Sequence, residues 1–233
     1  MPRTAIKPTH SIEIKELLHF ADRRMKTPKG AYIFQEGMDA DELYIILSGK
    51  IQISKITADG RELTFRICGE NEIIGELTLF TSEPKYLLNA LVLEAGEVAV
   101  IKKDVLEREI FKNSTLAYEF MKWMSDHFRN TQTKFRDLVL NGKKGALYST
   151  LIRMTNSYGI KVMGGILIDL PLTNQELGNF CGTSRESTNR ILGELKKDGI
   201  ITILTGTITV KDLQDVKKEI GCENCPAVYC SIE

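Results

Sequence analysis

From about Lys29 to Lys102 the apolar residues come in short runs: Ala31–Phe34, Leu43–Leu47, Ile51–Ile56, Leu63–Ile67, Asn89–Leu93 and Val98–Ile101. Gly30, Gly37, Gly49, Gly60, Gly69, Gly75 and Gly96 punctuate them. Ile51-Gln52-Ile53-Ser54 alternates with period two, as a half-buried strand does. Asp59-Gly60 between two such runs signals a hairpin. Many short strands at this spacing predict a closed roll or sandwich.

The pattern changes at Lys103. No proline or glycine occurs up to Leu140, and Leu116, Phe120, Trp123, Met124, His127, Phe128, Phe135 and Leu138 recur at helical spacing. This predicts a long amphipathic helix with a shorter one before it. A helix of roughly 25 residues spans ~40 Å, more than one small domain covers. Pairing with a second copy through Leu116, Phe120, Met124, His127 and Phe128 would bury that stripe. Packing only against the chain's own roll is the alternative.

Asn141-Gly142 offers a hinge. Beyond it the pattern predicts a helix over Lys143–Tyr158, a strand over Ile166–Leu170 and two helices from Thr173. A hairpin follows, Ile200–Leu204 and Thr207–Val210, turning at Thr205-Gly206. The expected fold class is α+β: a β-roll sensor domain over 1–103, a helical dimerisation segment over 104–140, a winged helix-turn-helix over 141–212 and a cysteine-rich tail over 213–233.

Two helix starts are unusually explicit. Thr173 can cap a helix with Glu176 reaching back to complete a capping box, and Leu172 and Leu177 stand where a hydrophobic staple needs them. Thr183-Ser184-Arg185-Glu186 repeats the box pattern for a second helix. Phe180-Cys181-Gly182 supplies the apolar anchor and the glycine of the turn between them. Leu177, Ile191, Leu192 and Leu195 have the spacing to pack the pair.

At ~100° per residue, Arg185, Glu186, Asn189 and Arg190 share one face of the second helix's first turns, the part that enters a major groove. Arginine can donate twice to guanine and glutamate can accept from cytosine. Ser184 and Thr173, at the two helix starts, belong to the same expected surface on double-stranded DNA. The plainer alternative is that Glu186 only caps while the arginines meet solvent or phosphate. Lys143, Lys144, Lys196 and Lys197 are further phosphate-contact candidates.

Composition adds limits. The chain has 233 residues, 42% hydrophobic and 27% charged, with formal net charge zero. Met1–Phe20 lacks the uninterrupted apolar core of a secretory signal, and no run approaches the ~20 apolar residues of a membrane span. A cytoplasmic location without membrane attachment is therefore expected. Three scattered histidines, His10, His19 and His127, and ordinary serines suggest no catalysis.

Five cysteines are unevenly spread. Cys68 and Cys181 lie alone in apolar surroundings; Cys222, Cys225 and Cys230 crowd the end with C-x2-C-x4-C spacing. In a reducing compartment clustered thiols more often bind metal than pair. Short loops let three thiolates converge, and a positive metal centre removes their mutual repulsion. Zinc with a fourth ligand and a [4Fe–4S] cluster both suit this spacing.

Ser184 to Leu192 resembles the recognition-helix pattern S-R-E-x-x-x-R-x-L of the CRP/FNR family. Gly75-Glu76-Leu77 is similar to that family's sensor-loop motif, and the likeness runs over nearly the whole chain. The resemblance implies a homodimeric transcription regulator in which Arg185, Glu186 and Arg190 read a palindrome of TGTGA-like half-sites, with RNA polymerase as a further partner. Ligand-binding family members carry an Arg-Ser pair where this chain has Leu88-Asn89 before Ala90. That departure argues against cyclic nucleotide binding, with Lys85 on a turn and Gly75 and Glu76 read as turn and surface positions.

The C-terminal cysteines, with none near the N-terminus, resemble the Bacillus-type branch of the family. That likeness implies an oxygen-labile [4Fe–4S] cluster and control by oxygen limitation. It also implies an oxygen ligand from the long helix, placed at Asp137, with Glu223 or water as substitutes. Asp137 could otherwise be a helix-surface partner of Lys134 or Arg136. Tethering the tail to Asp137 would bias the recognition helices toward a two-fold operator. Zinc binding or thiol sensing by the cysteines, a cyclic-nucleotide response, and electron transfer with incidental DNA affinity are the competing readings.

Overall fold

The computed structural model describes residues 14–204 and 206–232. His10, the first thirteen residues of the expected roll domain and Thr205 of the expected turn lie outside them. The contacts divide the chain into two compact units that meet within one helix, between Ser125 and Asp126.

The first unit opens with α1 (Ile14–Leu18), β1 (Arg23–Thr27) and β2 (Tyr32–Phe34). It continues through β3 (Glu42–Ile56), β4 (Glu62–Cys68), β5 (Ile73–Ile74) and β6 (Asn89–Lys102). All pairs are antiparallel, in the order β1-β6-β3-β4, with β2 also on β6 and β5 on β3. The sequence pattern missed β1, whose Arg-Arg-Met-Lys-Thr carries little apolar signal.

Alternation along β3 and β6 sorts side chains into two cores. Tyr44, Ile46, Val98 and Val100 join Phe34, Tyr86 and Cys68 inside the roll. Leu43, Ile45, Ala99 and Ile101 face the other way, onto α2 (Lys103–Lys112) and the start of α3 (Ser114–Leu140). The Asp59-Gly60 turn is present, with Gly60 at φ +78° and Thr57 N–H donating to Arg61 O over 2.9 Å.

Gly49 and Gly96 do not end strands, as the sequence pattern predicts. The four runs expected around them are two long strands, and these glycines mark where β3 and β6 cross backbone to backbone through a register shift. A Cβ on Gly96 would lie 2.0 Å from Ser48 O, and one on Gly49 2.5 Å from Glu94 O. Glu76 is not a surface residue either. It is 3% exposed and pairs with the buried Arg66 over 2.9 Å, so each charge makes the other's burial tolerable.

Asn113 separates α2 from α3, its Oδ1 accepting the Thr115 and Leu116 N–H groups. Of the residues expected in the dimer seam, Leu116 and Phe120 are buried in the first unit's own core, and Met124 packs against it. Leu116 and Phe120 are therefore not free to meet a partner, because the helix start must first cover the sheet it follows. His127 is half-buried and Phe128 is 61% exposed.

The second unit holds the rest of α3, then α4 (Gly142–Tyr158), β7 (Gly159–Val162), β8 (Gly165–Ile168), α5 (Asn174–Phe180) and α6 (Arg185–Lys197). β9 (Ile201–Leu204), β10 (Thr207–Val210) and α7 (Leu213–Glu219) complete it. The strands form one sheet, β7-β8-β10-β9. β7 and α7 were not expected. Asp212 caps α7 through Gln214 and Asp215 N–H, and Val216 and Ile232 are fully buried. The tail thus belongs to the folded unit, because it supplies apolar residues to the core.

Gly96→Ala should destabilise the protein by about 1–3 kcal/mol, since a carbonyl oxygen fills the space a methyl would need. Urea unfolding checks this; an unchanged midpoint would show that the crossing relaxes.

Candidate functional site

The helix-turn-helix is assembled by short-range devices. Thr173 Oγ accepts Glu176 N–H at 3.2 Å while Glu176 Oε2 accepts Thr173 N–H at 2.7 Å, the capping box expected. The Thr173 hydroxyl is thereby committed to α5. Gly182, at φ +58°, turns the chain. The second cap falls one residue later than the sequence suggested. Ser184 caps α6 by accepting Ser187 N–H at 3.3 Å, because Thr183 turns its backbone N–H back to Gly178 O. Glu186 therefore lies one position before the box position and caps nothing.

Gly178 is a residue the pattern did not single out. A Cβ there would meet Thr183 O and Thr188 Oγ, each at 2.8 Å, so only glycine allows this approach of α5 to α6. Thr188, Ile191, Leu192 and Leu195 are buried beneath α6. Its other face presents Arg185, Glu186, Asn189 and Arg190, all exposed, beside exposed Ser184. Asn189 accepts from Asn174 over 3.0 Å, and Arg190 meets Glu194 over 2.9 Å. An exposed pair of this kind contributes little to stability. Lys143, Lys144, Lys196 and Lys197 are exposed as well.

The three tail cysteines and Asp137 line one cavity of about 110 Å³, where about 10–15 Å³ suffices for a water. Local rules place each ligand candidate. At the end of α7, Gly221 N–H bonds to Lys218 O and Cys222 N–H to Lys217 O, with Gly221 at φ +56°. This Schellman motif aims Cys222 back toward the helices. Asn224, at φ +54°, bends the chain to Cys225, and a 3₁₀ turn over Ala227–Tyr229 leads to Cys230. Burial pushes the Cys230 thiol up, against the opposing charge of Arg153.

Asp137 is 7% exposed. Its Oδ2 accepts from Ser149 at 2.6 Å and Arg153 at 2.9 Å; its Oδ1 accepts from Arg136 at 2.9 and 3.0 Å. Burial alone would raise its pKa, but these hydrogen bonds outweigh it and hold the carboxyl below the usual range. It is thus neither a surface aspartate nor a partner of Lys134. The ammonium of Lys134 instead lies over the Phe180 ring at 4.9 Å. Glu223 pairs with Arg136 at the cavity's edge. Among the described residues, no three thiol, imidazole or carboxylate groups close on a single point as one metal ion requires.

In the roll, Leu88 packs on the apolar core and Asn89 Oδ1 accepts Glu36 N–H at 3.0 Å. Lys85 is tied to Asp39 and Gly37 O on the surface. None of these offers a buried cation for a phosphate. No helix among the described residues is long and apolar enough to cross a membrane.

A capped helix pair with a strand wing, carried with a β-roll, defines a helix-turn-helix regulator. Residues 24–113 match the cyclic nucleotide-binding domain family and residues 146–218 the Crp-like helix-turn-helix domain family. The anaerobic regulatory protein of Bacillus subtilis (strain 168) is 54% identical over 96% of this chain and 94% of its own length. A CRP-like cAMP-activated global transcriptional regulator of Mycobacterium tuberculosis (strain H37Rv) is 27% identical over 79% of this chain and 82% of its own. The fold is also that of a CooA variant from Carboxydothermus hydrogenoformans, at TM-score 0.75 and 19% identity, over 94% of this chain and 97% of that one. The chain belongs to the CRP/FNR family of transcription regulators, which are not enzymes.

In metal-free protein under reducing conditions, Cys230 should alkylate with iodoacetamide several-fold more slowly than Cys222, because burial lowers its thiolate fraction. Peptide mass spectrometry of a time course reads the order; equal rates would mean that the tail opens freely.

Proposed function

We propose that this regulator responds to oxygen limitation through a [4Fe–4S] cluster held by Cys222, Cys225 and Cys230, and reads a palindrome of TGTGA-like half-sites as a homodimer. The observation that carries the reading is the convergence of all three tail thiols and Asp137 on one cavity, in the same folded unit as the recognition helix. When bound, the cluster supplies a compact positive centre that oxygen can destroy. Three thiolates and a fourth ligand suit zinc or a [4Fe–4S] cluster, and the likeness to the Bacillus subtilis protein favours the cluster. The name of the Bacillus subtilis relative supports the anaerobic assignment.

The protein's own contribution follows from the geometry. Asp137 is ionised and buried, ready to serve as the fourth ligand once Arg136 withdraws from Oδ1. Arg136 already has a second partner in Glu223. Ligation would fix the segment from Cys222 to Cys230 against α3 and α4. α4 leads into the wing and the recognition helix, so the tail and the DNA-reading surface share one framework.

Dimerisation is assigned to a revised seam. Tyr118, Met121, Ser125, Phe128, Gln132, Phe135 and Val139, alternately three and four residues apart, are all exposed. That is the 3.5-residue repeat of a two-stranded coiled coil. Arg185, Glu186 and Arg190 would then face base edges in successive major grooves, about one DNA turn apart. Contact with RNA polymerase completes the proposed role.

Arg185→Ala should cost about 1–3 kcal/mol on an operator duplex and remove preference at one G·C pair. Competition binding reads this, and equal weakening on scrambled DNA would reassign Arg185 to phosphate. Anaerobic loading with iron and sulfide should give a brown protein that air bleaches, and Asp137→Ala should retain less iron. Colourless protein with stoichiometric zinc would replace the cluster assignment.

A further inference from the structure

Arg153 is the largest fully buried side chain among the described residues, at 1% exposure. A guanidinium has five N–H donors and no way to shed its charge, so its burial obliges the surroundings to supply acceptors. Here they come from three segments of the chain. Nη2 donates to Asp137 Oδ2 at 2.9 Å and Thr133 Oγ at 3.2 Å, both on α3. Nε donates to Ser149 Oγ at 3.3 Å on α4, and that hydroxyl also holds Asp137 Oδ2. Nη1 donates to Asn130 Oδ1 at 3.2 Å and to the carbonyls of Tyr229 at 3.3 Å and Ser231 at 3.5 Å.

Those two carbonyls flank Cys230. Its own carbonyl accepts from Asn156 at 2.6 Å, and Thr133 also donates to Tyr229 O at 2.9 Å. The four ligand candidates therefore fall into two groups, which Arg136 joins by pairing with both Asp137 and Glu223. Cys222 and Cys225 are placed by the end of α7. Asp137 and Cys230, 93 positions apart in sequence, are tied to one planar cation.

We propose that Arg153 is the positioning residue of the cluster site, fixing the oxygen ligand Asp137 and the thiolate ligand Cys230 at a set separation. The role rests on the cluster reading for its purpose, but the clamp itself is a property of the metal-free protein. With Oδ2 held by both Arg153 and Ser149, Asp137 is left with Oδ1, now bonded to Arg136, as the oxygen it can offer. The fork geometry is essential, since one ammonium cannot reach Asp137 and both carbonyls together. Lysine should therefore not replace this arginine, whereas it would if charge alone mattered.

The test uses the full chain in two arms. In metal-free protein, Arg153→Gln and Arg153→Lys should raise the iodoacetamide rate at Cys230 by roughly tenfold or more while leaving Cys222 within about twofold, as expected of local release. Thr133→Val, which removes the hydrogen bonds of Thr133 to Arg153 and to Tyr229 O but keeps the cation, should give a smaller rise at Cys230 and keeps the test open if the arginine variants do not fold. An unchanged Cys230 rate in folded variants, or rescue by lysine, overturns the proposal.

In the second arm, ferrous iron and sulfide are supplied anaerobically. Iron retained after desalting should fall about 10–100-fold in both Arg153 variants, the usual cost of losing a residue that orients ligands. Adding Asp137→Ala to Arg153→Gln should lower it no further. Wild-type loading with unaffected variants, or additive losses, sinks the positioning role. If the wild-type chain takes up no cluster, the functional reading fails, and the alkylation arm alone decides the clamp.

Discussion

The buried pair of Arg153 and Asp137 is the interaction on which the second unit depends. An unpaired charge in that position would cost several kcal/mol, so neither residue can be buried without the other. Satisfying the remaining donors of the guanidinium draws in two helices and the last residues of the tail. The tail is consequently held by polar contacts that are specific in direction, and its buried apolar residues, Val216 and Ile232, seal what those contacts arrange. A purely apolar attachment could have slid along the helices. This one cannot, because the carbonyls of Tyr229, Cys230 and Ser231 are each fixed by named donors.

The first unit obeys a different constraint. Its sheet is sorted by alternation, one face filling the roll and the other covered by helices, and the Arg66–Glu76 pair is its one inserted ionic contact of comparable burial among the described residues. The matching family is one of cyclic nucleotide-binding domains, yet this chain has Leu88 and Asn89 where the resemblance implies an Arg-Ser pair. Here the roll's buried arginine is already paired with Glu76.

Much of this was legible in the sequence where the signal is local. The Thr173 box, the Gly182 turn, the Asp59-Gly60 hairpin and the long proline-free helix depend on neighbours within a few residues, and each is found where the pattern puts it. The Crp-like recognition surface follows from the same short segment. What escaped depends on distant partners. Gly49 and Gly96 read as strand ends because nothing local reveals that another backbone passes within a methyl's reach. Two of the expected seam residues escaped because the apolar positions of α3 serve two faces, and only the fold says that Leu116 and Phe120 are spent on the sheet. Arg153 sits among ordinary helix formers, and a lone arginine in a helix gives no sign that it will be buried. A polar partner at a distance, such as Asp137, was the only available hint.

The helix α3 carries its exposed, largely apolar row and its clamped polar row side by side: Gln132 belongs to one and Thr133 to the other, about 100° apart around the axis. Because a helix of this length is torsionally stiff, the two rows behave like flats milled on a single shaft. A few degrees of roll that suit one neighbour are imposed at once on the other, without any rearrangement in between. Whatever grips one flat therefore sets the angle at which the other is offered.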